Sequence, residues 1–253
     1  MAPAEAAPYS PRMNGRSRQW PAAREEAERF AASNLFAFLL WLRLARGRRL
    51  VDRAALERWE QEDPGGFAEA FWDFAGVIGE RGQGLCVAEN VLRYGGAREA
   101  VAGAGGHVFS RERLCGETAA RAAAYRAAGI GPGDAVGGWV PDDPESIASF
   151  LGANAVGAVW ACEPSAARFR VAKGEVAAAQ RGAPLGFVRR PLAAPLAILA
   201  DGLVARQEAF LACLRDILLR AEVRPDQRIV PNREPGWVWG IAALATGASV
   251  VLG

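Results

Sequence analysis

The chain has 253 residues, 51% hydrophobic and 23% charged, with a formal net charge of +2. That length buries one substantial core or two small ones, and near-neutral charge with interleaved acids and bases gives no electrostatic case for nucleic acid. Lys173 is the only lysine among 30 basic residues and His107 the only histidine, so general-base and metal-ligating reagents are scarce.

Residues 1–21 mix Pro, Ala, Arg and Ser without periodicity and read as a disordered tail. Residues 22–87 read as a helical N-terminal extension. Within it, residues 25–47 place Phe30, Leu35, Phe38, Leu39 and Leu42 on one side, with a break at Ser33 and Asn34 where a fresh N-cap is available. The apolar stretch 35–42 stops at Arg43, too short to cross a bilayer and too far inside the chain for a signal peptide. Residues 52–59 and 66–78 add two helical pieces.

Residues 88–253 read as an incomplete α/β domain. EAVAG and HVFS flank Ala104, Gly105 and Gly106 as a hairpin. The glycine cluster suggests a nucleotide loop, but a strand follows it and the next helix starts only after Ser110, a good N-cap for RERLCGETAARAAAY, so a turn is expected. Gly129 ends that helix. Gly131, Pro132 and Gly133 then turn into the apolar run 135–140, read as a strand. Asp142 or Asp143 caps the next helix, Pro144 suits its first turn, and Ile147, Phe150, Leu151 and Asn154 recur at helical spacing. The run 158–162 then lies parallel to the first if both share a sheet. Trp139 and Trp160 fall inside these two runs and read as core.

Residues 165–186 form a short link in which Lys173 reads as a solvated surface lysine. Residues 187–253 supply a strand, a long helix over 203–223, a strand near 227–230, a second helix and a β-branched terminal strand over 248–252 that reads as central and parallel. The chain stops on that strand, which leads us to expect either a truncated reading frame or a protein that borrows its missing layer from a partner. Cys86, Cys115, Cys162 and Cys213 are widely spaced, without a C-x-x-C pair, so neither zinc nor a disulfide framework is expected and a cytoplasmic setting is. The expected fold class is α/β, a partial parallel sheet flanked by helices, with a helical N-terminal extension.

Several motifs carry a family resemblance. The G-x-x-x-G-D turn at Gly129 to Asp134, the P-D-x-P-E joint at Pro141 to Glu145 and the G-A-x-W closure at Gly157 to Trp160 resemble the N-terminal part of the AMP-forming acyl-CoA synthetases. FWDFAGVIG, AENVLRYGG, RERLCGETAARAAAYRAAGI and PGWVWGIAALATGASVVLG narrow the resemblance to the acetoacetyl-CoA synthetase branch of this AMP-binding superfamily. The resemblance implies activation of a short 3-oxo acid with ATP and magnesium to an acyl adenylate, then transfer to CoA. It also implies that the G-W-x-x segment lines an acyl pocket, which nominates Trp237, Val238 and Trp239 for substrate binding.

Two departures qualify that implication. In the family, a P-L-x-I-L strand leads into a Ser/Thr/Gly-rich loop that wraps the ATP phosphates. Here RRPLAAPLAIL is followed by Ala200, Asp201 and Gly202 and then directly by LVARQEAFLACLRDILLRAEV. The link 165–186 likewise replaces a much longer half-domain. We therefore expect a truncated, synthetase-like pseudoenzyme of lipid metabolism, inactive alone, with no catalytic, cofactor or metal residues of its own. The alternatives are a non-catalytic module pairing with a full-length synthetase or another α/β partner, and the product of a partial or decaying gene. Expected partners are a protein or a second copy through the unfinished sheet, with neither nucleic acid nor membrane.

Overall fold

The structure is a computed structural model and describes residues 25, 27–162, 167, 169–170, 182, 184–231 and 236–252. The expectations for residues 1–21, for Lys173 and for most of the link 165–186 lie outside the described residues. The chain divides into two compact units, Met1–Leu50 and Val51–Gly253.

In the first unit a short helical stretch gives way at Ser33 to α1 (Asn34–Arg46). The Ser33 hydroxyl accepts the Phe36 N–H at 3.0 Å, so the predicted break is a true N-cap. Gly47 ends the helix at φ 65°, and its N–H returns to the Leu42 carbonyl. Leu35, Phe38, Leu39 and Leu42 are buried.

The second unit opens with α2 (Arg53–Glu62) and α3 (Pro64–Phe74), capped by the Asp52 and Asp63 carboxylates. Their aromatic rings form a run, Trp59 edge-on to Phe67 at 5.6 Å and Phe67 stacked on Phe71 at 6.4 Å. A small hairpin of β1 (Gly79–Glu80) and β2 (Gly84–Leu85) leads to the short helix α4 (Val87–Val91). The predicted hairpin follows as β3 (Glu99–Ala102) and β4 (Val108–Ser110), antiparallel, joined through a 3-10 turn at Ala104–Gly106. Ser110 then caps α5 (Arg111–Ala127) by accepting the Arg113 N–H at 3.1 Å.

Next come β5 (Ala135–Gly137), α6 (Pro144–Ala155) and β6 (Val159–Ala161), with β5 and β6 parallel as expected. The remaining elements are β7 (Phe169–Arg170), β8 (Pro195–Ile198), β9 (Val204–Arg206), α7 (Gln207–Leu219), β10 (Arg228–Ile229), α8 (Gly236–Leu244) and β11 (Ser249–Val251). The parallel strands divide between two sheets. One has the order β7-β5-β6-β8-β9, parallel except for β9; the other has the order β10-β11-β3-β4, parallel except for β4. Strand β11 is central and parallel to both neighbours, and Val250 is fully buried, as its β-branched sequence indicated.

Two details differ from the sequence reading. The run 135–140 pairs only as far as Gly137, and Trp139 is 45% exposed, so it is not a core residue. Trp160 on the neighbouring strand, 1% exposed, lies over Gly138 where a side chain would otherwise stand, and its indole N–H holds the Trp139 carbonyl. The other difference is the start of the long helix, which begins at Gln207, with β9 formed ahead of it from residues assigned to helix.

Two arginines secure α8. Arg93 donates to the carbonyls of Ala75, Gly76 and Ala245, and Arg111, 4% exposed, donates to Leu244 and Ala248. These guanidiniums meet the negative end of the α8 dipole and satisfy carbonyls that a helix terminus leaves unpaired. Burial and the neighbouring Arg98 charge lower the Arg111 pKa.

A Cβ added at Gly138 would stand 2.1 Å from Trp160 Cζ2 and 2.3 Å from its Cη2. Gly138→Val should therefore cost about 2 kcal/mol, read as a lower urea midpoint at unchanged slope. An unchanged midpoint would show that the Trp160 ring yields to a side chain at position 138.

Candidate functional site

Open α/β sheets hold ligands beyond the carboxyl ends of their parallel strands. In the five-stranded sheet those ends are level, because the registers Gly137↔Ala161, Ala161↔Ile198 and Ile198↔Val204 run in one row. At about 4.8 Å per step, the row spans roughly 14 Å from β5 to β9. The backbone continues it by one residue: Gly138 N–H bonds to Ala161 O at 2.9 Å and Cys162 N–H to Ile198 O at 2.8 Å. The candidate site is the ledge above this row, formed by residues 138–143, Cys162 and the turn 199–203.

The turn is closed on itself. Leu199 N–H donates to Leu203 O at 2.8 Å, Gly202 N–H to Leu199 O at 2.9 Å, and Leu203 N–H to the Asp201 carboxylate at 3.0 Å. Gly202 sits at φ +81°, a conformation that a side chain would strain. Strand β8 therefore reverses into β9 with three of the five turn N–H groups used internally. The remaining two belong to Ala200 and to Asp201, which brings its own negative charge.

The N-terminus of α6 offers no better purchase for an anion. Asp143 and Ser146 form a reciprocal capping box, with the Ser146 N–H on the Asp143 carboxylate at 2.7 Å and the Asp143 N–H on the Ser146 hydroxyl at 3.1 Å. Pro144 has no N–H to give, and the Asp143 charge already occupies the positive end of the dipole. The exposed apolar side chains of the ledge are Trp139 and Val140 at one end and Leu203 (63% exposed) and Val204 at the other, with the exposed carboxylates of Asp142 and Asp201 beside them. Cys162 lies between them, buried.

The residues nominated for an acyl pocket lie on α8. Positions 237 and 239 are about 200° apart around a helix. Trp237 accordingly turns to Phe150 of α6, edge-on at 5.2 Å, while the Trp239 indole N–H donates to Asp216 of α7 at 3.3 Å. Val238 is buried. The structure therefore gives each indole its own neighbours. A separate apolar cavity of about 200 Å3 lies between α3 and α7 against Phe67, Phe71 and Leu211, and Arg215 and Glu60 at its rim neutralise each other.

The sequence reading missed β9. Its signal was present in the Asp201-Gly202 dipeptide, a hairpin marker, followed by Val204. The helix-forming run that starts at Gln207 hid it.

No protein-family model matches the chain. In sequence, it is 33% identical over 168 residues to acetoacetyl-coenzyme A synthetase of Rhizobium meliloti (strain 1021), covering 57% of this chain and 25% of that protein. In structure, it superposes on acetoacetyl-CoA synthetase from Streptomyces lividans with a TM-score of 0.74 at 18% identity, over 89% of this chain and 50% of that one. The chain is similar to part of these acetoacetyl-CoA synthetases. It spans a quarter of the curated synthetase and half of the solved one. Its fold also matches the amide bond synthetase McbA from Marinactinospora thermotolerans (TM-score 0.51, 21% identity, 66% of this chain and 43% of that one) and apo MatB from Rhodopseudomonas palustris (0.55, 14%, 66% and 45%). No helix among the described residues is long and apolar enough to cross a membrane.

Burial pushes the Cys162 and Cys213 thiols up from 9.0 to about 11 and the Cys86 thiol to about 12, with Tyr125 also raised. These groups stay protonated in the folded chain while the unfolded chain ionises near its ordinary values, so unfolding releases protons at high pH. Their contribution is fully present below about pH 9 and is lost as pH rises toward 11. Urea melts between pH 8 and 11 test the sign; a midpoint that rises with pH would contradict it.

Proposed function

We propose that this chain is a non-catalytic relative of acetoacetyl-CoA synthetase, retaining the α/β scaffold but forming no acyl adenylate on its own. The observation that carries the reading is the closed turn at residues 199–203. The resemblance assigns ATP, magnesium and CoA to the family, and a triphosphate cradle needs several converging backbone N–H groups or cations. Here three N–H groups are spent inside the turn and the Asp201 carboxylate stands beside it. The residues present do not fit ATP phosphates at this turn.

Magnitude supports the same side. Each donor withdrawn from a developing charge costs on the order of a hundredfold in rate. Losing several reduces adenylation by many orders of magnitude, which no single residue on the ledge restores. Within this reading Trp237, beside Phe150, and the buried Val238 are the candidates for an acyl-facing wall, and Trp239 serves α7 packing through Asp216.

A second reading, a binding module that pairs with another α/β protein or a second copy, draws support from β9. It is an outer strand of its sheet, with Leu203 and Val204 open at its start. A complex in size-exclusion chromatography that Val204→Lys dissolves is the outcome it expects.

ATP–pyrophosphate exchange with acetoacetate and magnesium tests the first reading. Turnover at the no-enzyme background is expected, both for the native chain and for Asp201→Gly, because removing the carboxylate leaves the N–H groups committed. Exchange above background, or sub-micromolar ATP binding by titration calorimetry, would overturn it.

A further inference from the structure

Helix α1 is apolar on two sides. Leu35, Phe38, Leu39 and Leu42 form the buried one, while Leu40 and Leu44, one helical turn apart, stand 42% and 75% exposed beside the half-buried Trp41. A surface helix normally confines its apolar residues to a single stripe. The second stripe runs into an exposed arginine cluster at Arg43, Arg46, Arg48 and Arg49, with the Arg46 guanidinium 5.9 Å from the Trp41 ring centroid.

Charge decides what fits there. Between Glu28 and Asp52 the chain carries five arginines and no carboxylate. A second copy seated on the stripe would bring these positive ends together, whereas an anionic surface would neutralise them. Leucines to insert, an indole suited to an interfacial position and guanidiniums at headgroup level are the combination that holds an amphipathic helix in the plane of a bilayer surface.

We propose that the exposed face of α1 docks on an anionic lipid surface, with Leu40 and Leu44 entering the acyl boundary and Arg43 and Arg49 on the headgroup phosphates. The contact lies on the membrane and does not span it. It revises the expectation of no membrane partner, which rested on the length of the apolar run and not on the surface of the helix. It is independent of the loss of adenylation.

Co-sedimentation of the full chain with phosphatidylglycerol/phosphatidylcholine vesicles, against phosphatidylcholine alone, tests it. Binding at least tenfold stronger to the anionic vesicles is expected, weakening steeply between 0.05 and 0.5 M NaCl, conditions on the order of those that separate surface from buried charge effects. Leu44→Glu and the pair Arg43→Glu/Arg49→Glu should each lower binding about tenfold while leaving the urea midpoint unchanged, since all three side chains are exposed. Equal binding to neutral vesicles, no binding to anionic ones, or full retention in Leu44→Glu overturns the proposal. So does equally tight binding of single-stranded RNA that Leu44→Glu does not weaken, since charge alone would then explain the contact.

Discussion

Trp160 is the side chain around which the end of the five-stranded sheet is packed. It sits in the inner strand β6, its indole N–H donates to Trp139 O at 3.0 Å, and its ring meets Phe150 of α6 edge-on at 6.3 Å. One side chain thus ties the end of β5, the covering helix and the middle of the sheet. Its ring fills the volume over Gly138, so only glycine fits there, and residues 138–143 form the loop that Asp143 and Pro144 turn into α6. The ledge is level across four strands because the registers Gly137↔Ala161, Ala161↔Ile198 and Ile198↔Val204 run in one row.

On that ledge, hydrogen-bond accounting weighs more than charge. One exposed carboxylate such as Asp201 is screened by water, and its repulsion of a phosphate is modest. N–H groups already bonded within a turn are a harder loss, since redirecting them breaks the bonds that hold β8 to β9. A glycine-rich loop keeps its N–H groups unspent until a phosphate arrives; the Leu199 to Leu203 turn spends them on folding. The scaffold and the chemistry of a synthetase are separable for this reason: helices and parallel strands depend on apolar pattern, whereas phosphate binding depends on a few uncommitted donors.

The scaffold was largely legible in the sequence. Ser33, Ser110 and Asp143 each cap a helix where a short polar side chain precedes an apolar period, and the β3–β4 hairpin and the buried β11 followed from turn chemistry and β-branching. These are local signals, and local structure answers them. Trp139 and β9 were not legible because tertiary partners decide them. Trp139 lies in an apolar run whose pairing ends at Gly137 and whose Trp139 carbonyl is held by an indole 21 residues away, and β9 exists because β8 offers a hydrogen-bonding edge. The separation of Trp237 from Trp239 was available from helical geometry alone, once the segment is read as a helix instead of as a motif.

The excess of arginine over lysine also acquires a physical content. Arg53, Arg93, Arg111 and Arg126 spend their guanidiniums on backbone carbonyls, of Leu219, of Ala75, Gly76 and Ala245, of Leu244 and Ala248, and of Gly186. A planar fork serves two or three carbonyls at fixed angles, which an ammonium on a flexible stem does not. Several of these contacts gather the carbonyls exposed where helices end, so arginines tie together elements that share little apolar area. Arg43, near the end of α1, and Arg49, just past it, are exposed and close in sequence to the exposed Leu40 and Leu44, which is the juxtaposition the proposed lipid contact rests on.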